Sequence, residues 1–120
     1  MIERINPPGA PVPRGPYSPA VRAGDFIFVS GQVPAEPGDA GHETRQVLTN
    51  LKRILEGCGA TLADVVKCSV FLADGNDFAA MNAVYAEFFG EAKPARSTVV
   101  TGFAIPNIKV EIDAIAYRPK

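Results

Sequence analysis

At 120 residues the chain has the length of one domain built around one core. Apolar residues make up 47% and charged residues 21%, globular proportions that separate it from the disordered class. The net charge of -1, without a basic run, leaves no electrostatic footprint for nucleic acid, and no apolar run reaches membrane-spanning length.

The chain starts Met1-Ile2-Glu3-Arg4-Ile5 without the apolar segment of a secretory signal, so the expected location is the cytoplasm. Six prolines fall between residues 6 and 19, which excludes a helix and disfavours a central strand. Residues 1–13 therefore read as a proline-rich, loosely ordered arm. Tyr17, flanked by stiff residues, is either an ordinary packed aromatic or a hydroxyl set to hydrogen-bond at a cleft edge.

Gly24-Asp25 reads as a tight turn between two antiparallel strands, near residues 19–23 and 26–31. Phe26 to Val29 is apolar on both faces, as in a strand covered on both sides. Gly31 at its end either terminates the strand or lets a backbone or ligand approach closely. Residues 34–42 are a Pro- and Gly-rich loop, and His42, the only histidine, reads as a solvated surface residue rather than a catalytic base.

From Glu43 to about Cys58 the apolar positions Val47, Leu48, Leu51, Ile54, Leu55 and Cys58 form one helical stripe. Glu43, Arg45, Lys52 and Arg53 lie off that stripe and read as a solvated face. Gly57 and Gly59 mark the helix end, and Thr61 to Asp64 has capping-box spacing. Residues 65–72 read as a strand with Val66, Cys68, Val70 and Leu72 alternating with Lys67, Ser69 and Phe71. Asp74 to Asp77 turns the chain and offers N-caps for a second helix over 77–89. Its stripe is Phe78, Met81, Val84, Tyr85 and Phe88, read as core rather than as a cofactor site. Cys58 and Cys68 match no metal spacing and read as two partly buried free thiols.

Two further apolar runs, Ser97–Thr101 and Lys109–Tyr117, read as strands joined through a turn at residues 102–107. In the last run Val110, Ile112, Ala114 and Ala116 share the face suited to a layer of helices. Lys109, Glu111, Asp113, Ile115 and Tyr117 share the other. The element order predicts a two-layer α+β domain, with two helices on one face of a single sheet. Phe26, Phe28, Ser30, Glu111 and Asp113 are then left on an uncovered face, partly apolar and partly ionisable, which points to an oligomer.

Gly15-Pro16-Tyr17-Ser18, Ser30-Gly31-Gln32, Asn82-Ala83-Val84-Tyr85, Pro94-Ala95-Arg96-Ser97 and Lys109-Val110-Glu111-Ile112 occur in an order that resembles the YjgF/RidA family. The resemblance runs from about Pro13 to Tyr117. It implies a chorismate-mutase-like α+β fold with a mixed sheet, assembling as a homotrimer with three clefts between subunits. It further implies hydrolysis of reactive 2-enamine and 2-imine acids, such as 2-aminoacrylate, to 2-keto acids and ammonia, without cofactor or metal. Arg96 matches the arginine that holds the substrate carboxylate, and Glu111 the acid that positions water. Tyr17, Ser30, Gly31 and Asn82 match positions lining the cleft. Thr98 stands where many members carry a cysteine, which removes any thiol chemistry there. The loop at 34–43 is shorter than usual. The alternatives are a pathway-specific relative acting on an aminoacrylate or aminomuconate, and a non-enzymatic trimer binding keto acids or client proteins. Ribonuclease activity, attributed to some relatives, ranks lowest on this slightly acidic chain.

Overall fold

A computed structural model describes residues 1–120. Its strands are β1 (Ile2–Ile5), β2 (Ala20–Ala23), β3 (Phe26–Gln32), β4 (Val65–Leu72), β5 (Ala95–Val100) and β6 (Val110–Tyr117). Helix α1 (Ala40–Gly57) lies between β3 and β4, and α2 (Phe78–Phe89) between β4 and β5. The strands form one sheet in the order β1-β2-β3-β6-β4-β5, antiparallel except for the parallel pair β4 and β5. That pair is joined through α2, the long crossover that parallel neighbours require. The mixed two-layer α+β architecture expected from the element order is the one observed.

The stripe of α1 enters the core as expected, with Val47, Leu48, Leu51, Ile54 and Leu55 fully buried. It meets Ile27 and Val29 of β3, Cys68, Val70 and Leu72 of β4, and the whole even-numbered face of β6. Cys58 is partly buried, Cys68 is buried, and both thiols are free. The Gly24 turn forms with φ +61°, a conformation open to glycine. Asp74 accepts from the Asn76 N–H at 2.8 Å ahead of α2, and Gly90 ends that helix at φ +53°.

Several expectations are corrected. The N-terminus is not a loose tail: Ile2–Ile5 pairs antiparallel with β2 as an edge strand. Pro7 is buried against Gly57, where a side chain would collide with the proline ring. The six prolines masked this short strand, whose four residues carry no apolar alternation, since Ile2 and Ile5 fall on opposite faces. Helix α1 begins a turn earlier than Glu43, because Asp39 caps it by accepting from the His42 N–H at 2.8 Å. His42 remains exposed, beside Gln46.

Glu43 is not solvated. It is completely buried, accepting from the Lys109 N–H at 2.7 Å and the Gly38 N–H at 3.2 Å. On β4 a register shift between Val65 and Lys67 turns Val66 outward, so it leaves the buried alternation. On α2 the buried residues are Met81, Val84, Tyr85 and Phe89, whereas Phe78 is exposed and Phe88 only partly buried. The two C-terminal runs are not paired with each other, since β4 lies between β5 and β6. Nor is β3 covered on both sides: Phe26 and Phe28 are 43% and 44% exposed, on the face opposite the helices.

Candidate active site

Glu111 reaches the helix-free face because β6 alternates, with Val110 and Ile112 on either side buried beneath the helices. Beside it the pairing of β3 with β6 is irregular: Val29 pairs with Ala114, but Gln32 pairs with Ile112. One extra residue is thus accommodated at Ser30–Gly31, a bulge that bends the strand and opens its backbone next to the carboxylate. Gly31 lets the carboxylate lie close to the backbone there, since a Cβ at this position would displace Oε2 of Glu111. The bland reading of Gly31 as a strand terminator is replaced by that of a close-approach glycine.

Tyr17, Ser30, Gly31, Val33, Ile105 and Glu111 together line a cleft of about 320 Å³. The Ser30 hydroxyl donates to the Ser18 carbonyl at 2.7 Å, and the Ser30 N–H to the Pro19 carbonyl at 3.0 Å. These bonds hold the arm against β3. The Tyr17 hydroxyl accepts from the Arg14 N–H at 3.1 Å, which fixes the ring at the cleft edge. Burial pushes the Glu111 carboxyl above its ordinary range, and the neighbouring carboxylate of Asp113 adds to the rise. Asp113 itself accepts from the Ser69 N–H at 3.1 Å. No cation of the chain pairs with Glu111.

Arg96 and Asn82 are elsewhere. Arg96 is paired in register with Cys68, which pairs with Ala114, whereas Glu111 pairs with Phe71. Two strands and three residues therefore separate the two, about 10 Å in each direction at ordinary strand spacings. They also occupy opposite faces. The Arg96 guanidinium lies on the helix side, 4.8 Å from the Tyr85 ring centroid and 5.6 Å from that of Phe78. Its Nη1 approaches the Met81 sulfur at 3.9 Å. An aromatic pair of this kind stabilises the cation without neutralising it, which leaves its planar fork free for an anion. Asn82 follows Met81 on α2, half-buried and without a side-chain hydrogen bond inside the chain. Thr98 lies on the Arg96 side of β5, half-buried.

A single chain thus brings together Tyr17, Ser30, Gly31 and Glu111, and separately displays Arg96 against α2, on which Asn82 follows Met81. The sequence reading missed Ile105, half-buried in a turn treated only as a connector, and the platform role of Phe78. The latter had a signal, because the i, i+7 spacing of Phe78 and Tyr85 places both on the helix face toward Arg96.

Fold and cleft together define a small α+β domain that presents a perturbed carboxyl group at a bulged strand on an open sheet face. The chain belongs to the YjgF/RidA family, and residues 8–118 match the family model described as endoribonuclease L-PSP. It is 50% identical to a RutC family protein of Pyrococcus horikoshii, over 98% of this chain and 99% of that protein. A 2-iminobutanoate/2-iminopropanoate deaminase of Dermatophagoides farinae is 42% identical over 92% of both chains. The 3-aminoacrylate deaminase RutC of Acinetobacter baylyi is 41% identical over 96% of this chain and 97% of that one. The crystal structure of the YjgF gene product from E. coli matches with a TM-score of 0.89 and 41% identity, covering 97% of this chain and 98% of that chain.

Proposed function

We propose that this protein is a hydrolytic deaminase of reactive 2-enamine and 2-imine acids, working without cofactor or metal in clefts completed between copies of a homotrimer. The observation that carries this reading is Glu111: a half-buried carboxyl group with a raised pKa, unpaired, facing a cleft that Gly31 keeps open. The names of the deaminase relatives support the reaction class. The placement of Arg96 and Glu111 on opposite faces supports assembly, because one chain cannot present both to one small molecule.

In this reading 2-aminoacrylate first tautomerises to 2-iminopropanoate. Arg96 of one copy grips the carboxylate in a bidentate pair, with Asn82 nearby, and so fixes C2. Glu111 of another copy orients a water and accepts its proton as the oxygen adds to C2. The resulting carbinolamine loses its nitrogen as ammonia once that nitrogen has taken up a proton, and the C–O bond becomes the carbonyl of the 2-keto acid. Tyr17, Ser30 and the Gly31 backbone line the substrate's other side.

The test couples a 2-aminoacrylate-generating dehydratase to the protein and follows the intermediate. Wild type speeds its loss, and Arg96→Ala returns it to the rate in buffer. Equal rates for wild type, variant and buffer across several imino acids overturn the reading. The name of the Acinetobacter relative favours a second substrate, 3-aminoacrylate, whose amine-bearing carbon is one bond farther from the carboxylate. The same assay with both isomers distinguishes the two.

A further inference from the structure

A second cavity, of about 240 Å³, adjoins the Glu111 cleft and shares Tyr17, Gly31 and Val33 with it. Its outer wall is the N-terminal arm around Arg14. Its floor includes Gln32 and Asn50. The reaction proposed above does not use this space, which at about 30 Å³ per water is room for several heavy atoms beyond a three-carbon acid.

We propose that this cavity receives the side chain of the imino acid, and that Arg14 selects dicarboxylic 2-imino acids by pairing with their second carboxylate. The inference rests on the deaminase reading, whose substrate class it narrows. Three observations carry it. Arg14 is the only ionisable residue besides Tyr17 on the cavity wall, which carries no acidic side chain. The Arg14 guanidinium makes no ion pair or hydrogen bond within the chain, although its backbone is fixed by the N–H bond to Tyr17. Gln32 donates one amide hydrogen to the Ser30 carbonyl at 3.1 Å, and Asn50 one to the Val33 carbonyl at 3.4 Å. Each amide nitrogen therefore keeps a second hydrogen to offer an anion.

The remaining wall is stiff. Pro11, Pro13, Pro19 and Pro34 line it, so the space is shaped before a ligand enters and little ordering is needed on binding. The two spaces meet at Tyr17, Gly31 and Val33, so the side chain of a substrate whose C2 faces Glu111 would run past these residues into the cavity whose wall includes Arg14.

The experiment compares 2-iminoglutarate with 2-iminopropanoate, each released by an amino-acid oxidase, for wild type, Arg14→Gln and Arg14→Lys. The readout is the ratio of the two kcat/KM values, which cancels any general loss of activity. Wild type favours the dicarboxylic substrate, and Arg14→Gln lowers the ratio at least about tenfold, the loss of one charge-assisted pair. Arg14→Lys restores part of it. An unchanged ratio in Arg14→Gln overturns the subsite while leaving the deaminase reading standing. If wild type turns over no imino acid, the subsite is read from titration with the keto acids 2-oxoglutarate and pyruvate, the products of the two substrates. A preference for 2-oxoglutarate that Arg14→Gln abolishes supports it, and equal or absent binding of the two overturns it.

Discussion

The Glu111 side chain packs against the backbone of Gly31, so a Cβ there must displace the carboxylate. Gly31→Ala pushes the carboxylate out of position while leaving the hydrophobic core intact. We expect a loss of about 10²-fold in kcat, the scale at which a misplaced group costs an enzyme, with the far-UV spectrum of the wild type; unchanged kcat would refute the packing argument. The perturbed carboxyl group makes a second prediction. Glu111 acts as the carboxylate, so activity falls as the pH drops through its raised pKa, and the acidic limb lies above the ordinary glutamate range. Asp113→Asn removes the repelling charge and moves that limb to lower pH, a shift seen directly in the pH profile of kcat/KM. The stability sign is opposite to that of a salt-bridged acid. A folded pKa raised above the unfolded one makes ionised Glu111 a cost above that folded pKa, and the cost vanishes below the unfolded value. Glu111→Gln should therefore melt higher than wild type at neutral pH while losing activity.

Between elements, the organising contact is the buried carboxylate of Glu43. From the first turn of α1 it accepts from Lys109 at the entrance to β6 and from Gly38 in the preceding loop. The Lys109 ammonium lies 3.7 Å away and donates to the Gly38 carbonyl at 2.7 Å. Helix, loop and strand are thereby locked two residues before Glu111. Glu43→Ala leaves two part-buried N–H groups without their acceptor and the Lys109 ammonium without its partner, and should cost about 2–4 kcal/mol. Glu43→Gln retains an acceptor and should cost less. Urea unfolding at neutral pH measures both, and equal small losses would show the network to be dispensable. The bulges act at the same scale. The one at Ser30–Gly31 opens the cleft, and the one at Val65–Lys67 turns Val66 outward. A register irregularity has no signature in hydrophobic alternation, so it was not legible in the residues.

For the whole molecule the decisive feature is the helix-free sheet face. Phe26 and Tyr117 pack there at 5.2 Å between centroids, yet remain 43% and 45% exposed, with Phe28 beside them. An apolar surface of this kind calls for a partner, and a second copy is the partner the proposed cleft needs. Arg96→Ala and Glu111→Gln, each inactive alone, provide the check. Mixed in equal amounts, dissociated and reassembled, they should recover activity at about a quarter of the sites if each site draws one residue from each of two subunits. No recovery would place both residues' roles within one chain.

Much of this protein was determined by its sequence alone. The α1 stripe, the alternation of β6 and the Gly24 turn depend on local periodicity and short-range backbone preferences, which a sequence displays directly. The periodic features gave the two-layer α+β class, and the resemblance carried by the five family words singled out Arg96, Glu111, Tyr17, Ser30, Gly31 and Asn82 as candidates. Only the tertiary structure decided that Ile2–Ile5 extends the sheet as an edge strand, that Glu43 is buried, and that β4 separates Arg96 from Glu111. Each of these depends on which distant segments meet. Burial and strand order are set by the free energy of the packed whole, and no window of neighbouring residues contains it.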